Sequence, residues 1–107
     1  MQVINDLYKI IEGRKNSVDE NSYTCYLFKQ GMDKILKKLG EETAETIIAA
    51  KNGDETQIVN ESCDLLYHLM VMLIQSNVSI EAVEKELLAR SEKIGNLKVF
   101  KNTDKNT

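Results

Sequence analysis

Hydrophobic residues recur at intervals of three and four along most of the chain, which is the spacing of one face of an α-helix. Proline is absent from the 107 residues, and there are only five glycines. No segment alternates convincingly between apolar and polar positions, as a half-buried β-strand does. The pattern therefore predicts an all-α protein in which four main helices form a bundle.

The first helix is predicted over residues 3–15, and the polar stretch 16–22 after it is predicted to be a loop. The second helix should run from about residue 32 to residue 51. Asn52 and Gly53 close it, because this pair easily adopts the left-handed conformation found at helix ends.

Asp54 stands where it can cap a third helix, which extends to about residue 76. Asn77 is a turn candidate, and Ser79 can cap a fourth helix over residues 80–93. We expect one domain over residues 1–95, since a chain of this length supports one hydrophobic core. Residues 96–107 are polar with isolated apolar positions and are predicted to form a loosely ordered tail.

Gly40 leaves two interpretations of the second helix. A helix could end there, and Glu41 and Glu42 would then lie in the first turn of the next, where acidic residues interact favourably with the macrodipole. An apolar stripe keeps its helical phase across Gly40, however. We therefore expect one continuous helix with this stripe in the core. Glycine inside a helix lowers its stability by about 1 kcal/mol relative to alanine, which such a helix can tolerate. The stripe consists of Ile35, Leu36, Leu39, Thr43, Ile47 and Ala50.

Charge and cysteine content narrow the class of protein. The formal net charge of -3 argues against nonspecific nucleic-acid binding, which requires a basic surface. The N-terminus lacks the pattern of a signal peptide, and the longest apolar run, 65–74, is too short to span a bilayer. We therefore expect a cytoplasmic protein without nucleic-acid or membrane partners. Cys25 and Cys63 have no CxxC spacing and are expected to be reduced and structural.

Acidic residues lie beside the apolar positions of the second helix. Lys38, Glu42 and Glu45 share an arc of roughly 60° at one margin of the apolar stripe, and Glu41 lies further toward solvent. Lys37 and Lys38 could contact a bound phosphate, although Lys38 and Glu42 could equally form an ordinary i, i+4 surface pair.

The third helix repeats this arrangement in more apolar surroundings. Glu61, Asp64 and His68 fall within roughly 60° of one another on a helix that is apolar in nearly every other direction. An isolated buried carboxylate costs several kcal/mol unless it is paired or binds a cation, as a rough figure. A single pair of glutamates is usually a solvated surface, but two such pairs on two helices indicate a cation site.

Carboxylate oxygens are the ligands of hard divalent ions, so Glu42, Glu45, Glu61 and Asp64 predict a magnesium site. His68 is a poor ligand for magnesium and is interpreted as a hydrogen-bonding neighbour of the site or as a satisfied core histidine. Zinc would require more His and Cys ligands. The ferritin-like di-iron pattern requires Glu-x-x-His, which is absent from the sequence.

Two longer segments resemble a known family. "SYTCYLFKQGMDKILKKLGEETAETIIAAKNGD" and "ESCDLLYHLMVMLI" are similar to the phosphoribosyl-ATP pyrophosphatases of histidine biosynthesis, members of the MazG-like all-α nucleotide pyrophosphatase superfamily. The likeness covers roughly residues 7–90. The superfamily signature EExxE…ExxD is matched by Glu41, Glu42, Glu45, Glu61 and Asp64.

The resemblance implies magnesium-dependent hydrolysis of the α–β phosphoanhydride of phosphoribosyl-ATP to phosphoribosyl-AMP and pyrophosphate. It implies metal binding by the four carboxylates named above and a catalytic set of Glu41, Glu42 and Glu45, in which Glu41 is either a further ligand or a group that orients water. The residues that contact substrate phosphates, sugars or base are expected among Lys37, Lys38, Tyr23, Thr24 and Arg90.

A homodimer is also expected, because three other short helices can hardly surround a third helix that is apolar on nearly all sides. Two alternatives remain open at this point. The chain could be a pyrophosphatase of the same superfamily that acts on dUTP, dCTP or noncanonical nucleoside triphosphates. It could also be a noncatalytic helical dimerisation module whose acidic residues bind structural cations.

Overall fold

The computed structural model describes residues 1–93 and 98–106, with side chains as far as Asp104. No strand occurs within these residues, which confirms the all-α class. The helices, numbered in chain order, are α1 (Gln2–Gly13), α2 (Tyr23–Gln30), α3 (Met32–Asn52), α4 (Glu55–Gln75), α5 (Ile80–Ser91) and α6 (Asn102–Asn106).

The predicted capping residues are confirmed by their contacts, although α1 and α5 each end two residues before the predicted position. The side chain of Asp54 accepts a hydrogen bond from the backbone N–H of Gln57 at the start of α4. The side chain of Ser79 accepts a hydrogen bond from the backbone N–H of Ala82 at the start of α5. Asn77, in the turn before α5, has a φ of 60°. Gly53 ends α3 in the left-handed conformation with a φ of 70°, as the sequence predicts.

Helix α3 continues through Gly40, as the phase of its apolar positions predicts. The predicted stripe is nevertheless not the core-facing side of this chain. Ile35 is fully buried, but Leu36, Thr43 and Ala50 are exposed and Ile47 is 64% exposed. The buried line of α3 is Ile35, Glu42 and Ala49, which repeats every seven residues and places an acidic side chain at its centre.

Helix α2 was not predicted. Its eight residues, YTCYLFKQ, include aromatic and branched side chains, and so short a helix is marginal by itself. Two local features define it: the Ser22 side chain accepts a hydrogen bond from the N–H of Cys25 at its start, and Gly31 separates it from α3 with a φ of 93°. Burial of Leu27 and Phe28 then attaches it to the core.

The core lies where α1, α2 and the C-terminal half of α4 meet. The hydroxyl of Tyr8 donates to the carbonyl oxygen of Val78 at 2.7 Å, and the ammonium of Lys15 lies 3.3 Å from the carbonyl oxygen of Ile74. These bonds attach α1 and the turn after it to the C-terminal end of α4 and the turn that follows α4. The buried cluster is Tyr8, Ile11, Leu27, Phe28, Ile35, Met70, Val71, Ile74 and Ile80.

The remaining sequence expectations concern the cysteines, the tail and membrane insertion. Cys25 and Cys63 are both free thiols, but only Cys25 is buried, so a structural role for Cys63 is not supported. The predicted tail, residues 96–107, contains α6, and its predicted start at residue 96 lies outside the described residues. Among the described helices none alone is long and apolar enough to cross a bilayer; α4 and α5 pass that test only as a pair bent by 115°.

Candidate metal centre

The acidic cluster lies between α3 and α4, which pack side by side as a helical hairpin. Glu42 and Glu45 project from α3 and Glu61 projects from α4, and one carboxylate oxygen from each lies within 4.8 Å of the other two. We call these three residues the acidic cluster. The structure thus brings together three of the four carboxylates predicted to bind metal.

Two oxygens of this cluster are buried without a hydrogen-bond partner in the described structure. They are Oε2 of Glu42 and Oε2 of Glu61, and Glu42 as a whole is only 7% exposed. A buried ionised carboxylate without a partner costs several kcal/mol, as a rough figure. The arrangement is therefore unfavourable by itself and suited to a cation, whose charge and coordination would compensate both oxygens.

The pKa values of the cluster reflect the same crowding. Burial raises the pKa of Glu42, and its contact with the Glu45 carboxyl raises it further. The pKa of Glu61 is raised first by its contact with the Glu45 carboxyl and then by burial. A shared proton relieves the repulsion between neighbouring carboxylates, as a bound cation also would.

Asp64, the fourth predicted ligand, lies one turn beyond Glu61 and is exposed. Its side chain is not part of the acidic cluster. Its negative charge nevertheless raises the pKa values of Glu42 and Glu61, so it acts on the same site. The structure therefore places Asp64 near the acidic cluster but not in it.

Thr46 links the two helices beneath the cluster and was not identified from the sequence. Its hydroxyl oxygen lies 2.7 Å from the carbonyl oxygen of Glu42 and 3.2 Å from that of Glu61. The hydroxyl proton can be shared between these two acceptors. The contact of Thr46 with Glu42 follows from their spacing of one helical turn. The contact with Glu61 depends on how α3 and α4 pack, and no local sequence pattern indicates it.

Lys38 pairs with Glu41 and not with Glu42, the partner considered from the sequence. Its ammonium lies 3.1 Å from Oε2 of Glu41. This hydrogen bond raises the pKa of Lys38 and lowers that of Glu41. Glu41 is therefore outside the acidic cluster, in a charge pair at its rim, while Lys37 is exposed on the same helix.

Tyr23 and Thr24 at the start of α2 contact the aromatic residues of α4. The hydroxyl of Tyr23 lies 3.1 Å from Nε2 of His68, and the hydroxyl of Thr24 lies 2.6 Å from that of Tyr67. The charges of Lys38 and Glu42 both act on the pKa of Tyr23, which burial raises. The unpredicted helix α2 thus places a tyrosine beside the acidic cluster.

Arg90 is not brought to this site. On α5 its Nε donates to Oε1 of Glu86 at 3.3 Å. It also lines an open cavity of about 380 Å³ together with Val78, Ala82, Val83, Glu86 and Leu87. None of the carboxylates of the acidic cluster lines this cavity. Within one chain, Arg90 is therefore separate from the candidate metal centre.

Comparison with known proteins agrees with these features. A profile of the family described as phosphoribosyl-ATP pyrophosphohydrolase matches residues 4–91. The chain belongs to this family. It is 52% identical to a phosphoribosyl-ATP pyrophosphatase of Clostridium botulinum strain Kyoto over 94% of this chain and 92% of the relative. It is 54% identical to one from Streptococcus thermophilus over 89% and 91% of the two chains, and 50% identical to one from Listeria welshimeri over 95% and 98%.

Membership of the family agrees with the candidate site. The matched region contains the acidic cluster on α3 and α4 and the aromatic contacts of Tyr23 and His68. It also contains Lys38 and Glu41 at the rim. Three of the five signature residues, Glu42, Glu45 and Glu61, thus meet in the structure, and Glu41 lies at the rim.

Proposed function

We propose that this chain hydrolyses the α–β phosphoanhydride of phosphoribosyl-ATP in a magnesium-dependent reaction, giving phosphoribosyl-AMP and pyrophosphate, an early step of histidine biosynthesis. Pyrophosphatase activity on this substrate is supported by the family and by relatives that share half of its residues. The proposed dependence on magnesium is supported by the acidic cluster, which contains two buried oxygens without hydrogen-bond partners.

Glu42, Glu45, Glu61 and Asp64 are the residues that would hold magnesium. Their donor set fits the ion, since magnesium takes carboxylate oxygens and retains positions for water and phosphate. When bound, magnesium supplies a Lewis acid that neutralises charge on the phosphate oxygens. The acidic cluster supplies ligands from both helices, and Thr46 holds those helices in register.

The chain's own cations and carboxylates have separate roles in this proposal. Lys38 and Lys37 stand at the rim of the site and would attract the polyphosphate, which the negative cluster alone would repel. Glu41, with Glu42 and Glu45, forms the proposed catalytic set, in which Glu41 would either orient water from the rim or serve as a further metal ligand. Tyr23 faces the same rim and would contact the substrate.

We also propose a cytoplasmic homodimer without nucleic-acid or membrane partners. Apolar side chains remain exposed on both helices of the hairpin. A second copy would bury these side chains, which are Leu36, Ile47 and Ile48 of α3 and Val59, Leu66 and Leu69 of α4. Sedimentation at micromolar concentration tests this, and a stable monomer would refute it.

The reaction is tested by measuring pyrophosphate release from phosphoribosyl-ATP with magnesium or with a chelator. The wild-type protein should require magnesium, and Glu45→Gln should lose about 100-fold or more in kcat, because Glu45 contacts both other carboxylates. Glu55→Gln is the matched control, since Glu55 is an exposed glutamate on α4 outside the cluster. Equal turnover by these two variants would contradict the assignment.

The substrate is tested separately with a panel that includes dUTP, dCTP and noncanonical nucleoside triphosphates. We expect phosphoribosyl-ATP to have the highest kcat/KM of the panel. Preference for dUTP would retain the metal site but overturn the substrate. Stabilisation by magnesium without hydrolysis of any nucleotide would instead indicate a noncatalytic module.

A further inference from the structure

The hydrogen bonds of His68 define which of its ring nitrogens carries a proton. Nδ1 lies 2.7 Å from the backbone carbonyl oxygen of Asp64. A carbonyl oxygen can only accept a hydrogen bond, so Nδ1 must be the donor. Nε2 of the neutral imidazole then has no proton and can only accept.

The partner of Nε2 is the hydroxyl of Tyr23 at 3.1 Å, and this hydroxyl donates when the ring is neutral. The imidazole is held in place, because it is 4% exposed and makes edge contacts with the rings of Tyr23 and Tyr67. A charged ring would also satisfy both contacts, but no carboxylate of the described residues forms an ion pair with His68, and a buried charge without such a partner is costly. The neutral tautomer with the proton on Nδ1 is therefore the favoured form.

Tyr23 consequently presents only lone pairs to the site. Its single proton points toward His68, while 45% of the residue remains accessible from outside. Phosphate oxygens of a nucleotide also only accept at neutral pH, so they gain no hydrogen bond from Tyr23. The partner that fits this oxygen is a hydrogen-bond donor. In a nucleoside polyphosphate the donors nearest the phosphate chain are sugar hydroxyls, and the other donor at a carboxylate site is water.

We propose that His68 is a positioning residue that turns the Tyr23 hydroxyl into a hydrogen-bond acceptor for a hydroxyl donor, either a ribose hydroxyl of the substrate or a water at the acidic cluster. The proposal rests on the proposed function for the existence of a nucleotide substrate. The tautomer itself does not depend on it. Tyr23 thereby favours ligands that offer a hydroxyl donor over ligands that lack one, and it contributes nothing to phosphate binding.

The tautomer is tested by nitrogen-15 NMR of the imidazole, which is unambiguous because the chain contains one histidine. In the wild-type protein at neutral pH we expect the proton on Nδ1. Tyr23→Phe should shift the Nε2 resonance, and Tyr26→Phe should leave it unchanged. Tyr26 is a suitable control, since it stacks on Tyr23 without contacting His68. A proton on Nε2 would overturn the proposal whether or not the chain is an enzyme.

The positioning role is tested by a double-mutant cycle on kcat/KM. Tyr23→Phe and His68→Leu should each lose about tenfold, the upper range for one neutral hydrogen bond, and the double variant should lose no more than either alone. His68→Gln, whose amide oxygen can accept from Tyr23, should recover most of the loss. If His68→Leu is as damaging in the Tyr23→Phe background as in the wild type, His68 only packs the core and the proposal fails.

The source of the hydroxyl is decided by repeating Tyr23→Phe on substrates that lack ribose hydroxyls. A loss that disappears with an analogue lacking the 2′- or 3′-hydroxyl of either ribose places the donor on that hydroxyl, and a loss of equal size on all of these analogues places it on water. No loss on any substrate hydrolysed by the wild type would overturn the acceptor role. If the wild type hydrolyses no nucleotide, the proposed function fails, whereas the NMR result still decides the orientation of Tyr23.

Discussion

The two halves of α4 have opposite surroundings. In its C-terminal half Val71 and Ile74 are buried, and Lys15 bonds to the carbonyl of Ile74 near the end of the helix. In its N-terminal half Glu61 faces two other glutamates, with one carboxylate oxygen buried and unpartnered. One half is stabilised by apolar burial and satisfied polar groups, while the other holds repelling charges at a cost in stability.

This contrast separates stability from function within a single helix. Marginally stable proteins tolerate an unfavourable site when the rest of the fold compensates for it. We therefore expect substitutions of the buried apolar residues in the C-terminal half, such as Val71 and Ile74, to weaken folding with little change in the chemistry of the folded protein. Neutralising substitutions in the acidic cluster, which Glu61 shares with Glu42 and Glu45 of α3, should have the reverse effect.

The largest effect on stability is expected from Ile74→Ala. Ile74 is 3% exposed, and truncating a buried isoleucine costs about 2–5 kcal/mol. Ile10→Ala is the matched control, because Ile10 is exposed on α1 and should change stability by less than about 0.5 kcal/mol. Denaturant unfolding measures both variants. Similar losses in the two would mean that the C-terminal half of α4 is not the stabilising half.

Glu42→Gln should have the opposite sign in metal-free protein. Removing the charge relieves its repulsion with Glu45 and Asp64 in a buried position. We expect a gain of about 1 kcal/mol, or roughly 4 °C or more in Tm for a domain of this size, together with loss of stabilisation by magnesium. Glu41→Gln should instead lower Tm slightly, since it breaks the pair with Lys38. A lower Tm for Glu42→Gln would contradict the proposed strain.

The pH dependence of the metal-free protein follows from the same residues. The pKa values of Glu42 and Glu61 are raised above the usual 4.5, so the folded chain binds their protons more tightly than the unfolded chain does. This contribution to stability is fully present below the unfolded pKa and is lost as pH rises through the folded values. We expect Tm to fall as pH rises above about 4.5.

Glu41 acts in the opposite direction, because its lowered pKa gives a contribution that is lost as pH falls below its usual 4.5. The two effects are separated by comparing Tm of the wild type and Glu42→Gln across about pH 4 to pH 7 with a chelator present. The variant should show the smaller decline with rising pH. Parallel curves would assign the decline to other groups.

The smallest effect on stability is expected from Lys15→Met, which removes a side chain that contacts the C-terminal end of α4. This change removes the bonds from the ammonium to Ile74 and Asn77 and its favourable interaction with the end of the helix. We expect a loss of about 0.5–1 kcal/mol, measured by denaturant unfolding. Lys9→Met, an exposed site on α1, is the control. An equal loss in both would indicate a general charge effect and no specific contact.

Local rules were sufficient for much of the fold. Asp54, Ser79 and Gly53 define helix ends by short-range chemistry that the sequence displays directly. The continuity of α3 through Gly40 followed from the phase of its apolar residues. Helix α2 was missed because its formation depends on burial of Leu27 and Phe28 against other elements.

The candidate site was predictable where helical spacing determines it. Glu42 and Glu45 lie on one face of α3 because of their separation in the chain, and their meeting with Glu61 followed from pairing two similar patterns. The contact between Tyr23 and His68 joins residues 45 positions apart, which no periodicity encodes. The apolar stripe of α3 was predicted to be core but is largely exposed, so periodicity identifies an apolar face without showing what packs against it.

We propose that the unpartnered oxygens of Glu42 and Glu61 belong to a magnesium site shared by α3 and α4. Calorimetric titration of magnesium into metal-free protein measures this binding, with the wild type compared with Glu45→Gln and with the exposed control Glu55→Gln. We expect saturable binding by the wild type and by Glu55→Gln, and loss of that binding in Glu45→Gln. Equal binding by all three proteins would rule out a magnesium site at the acidic cluster.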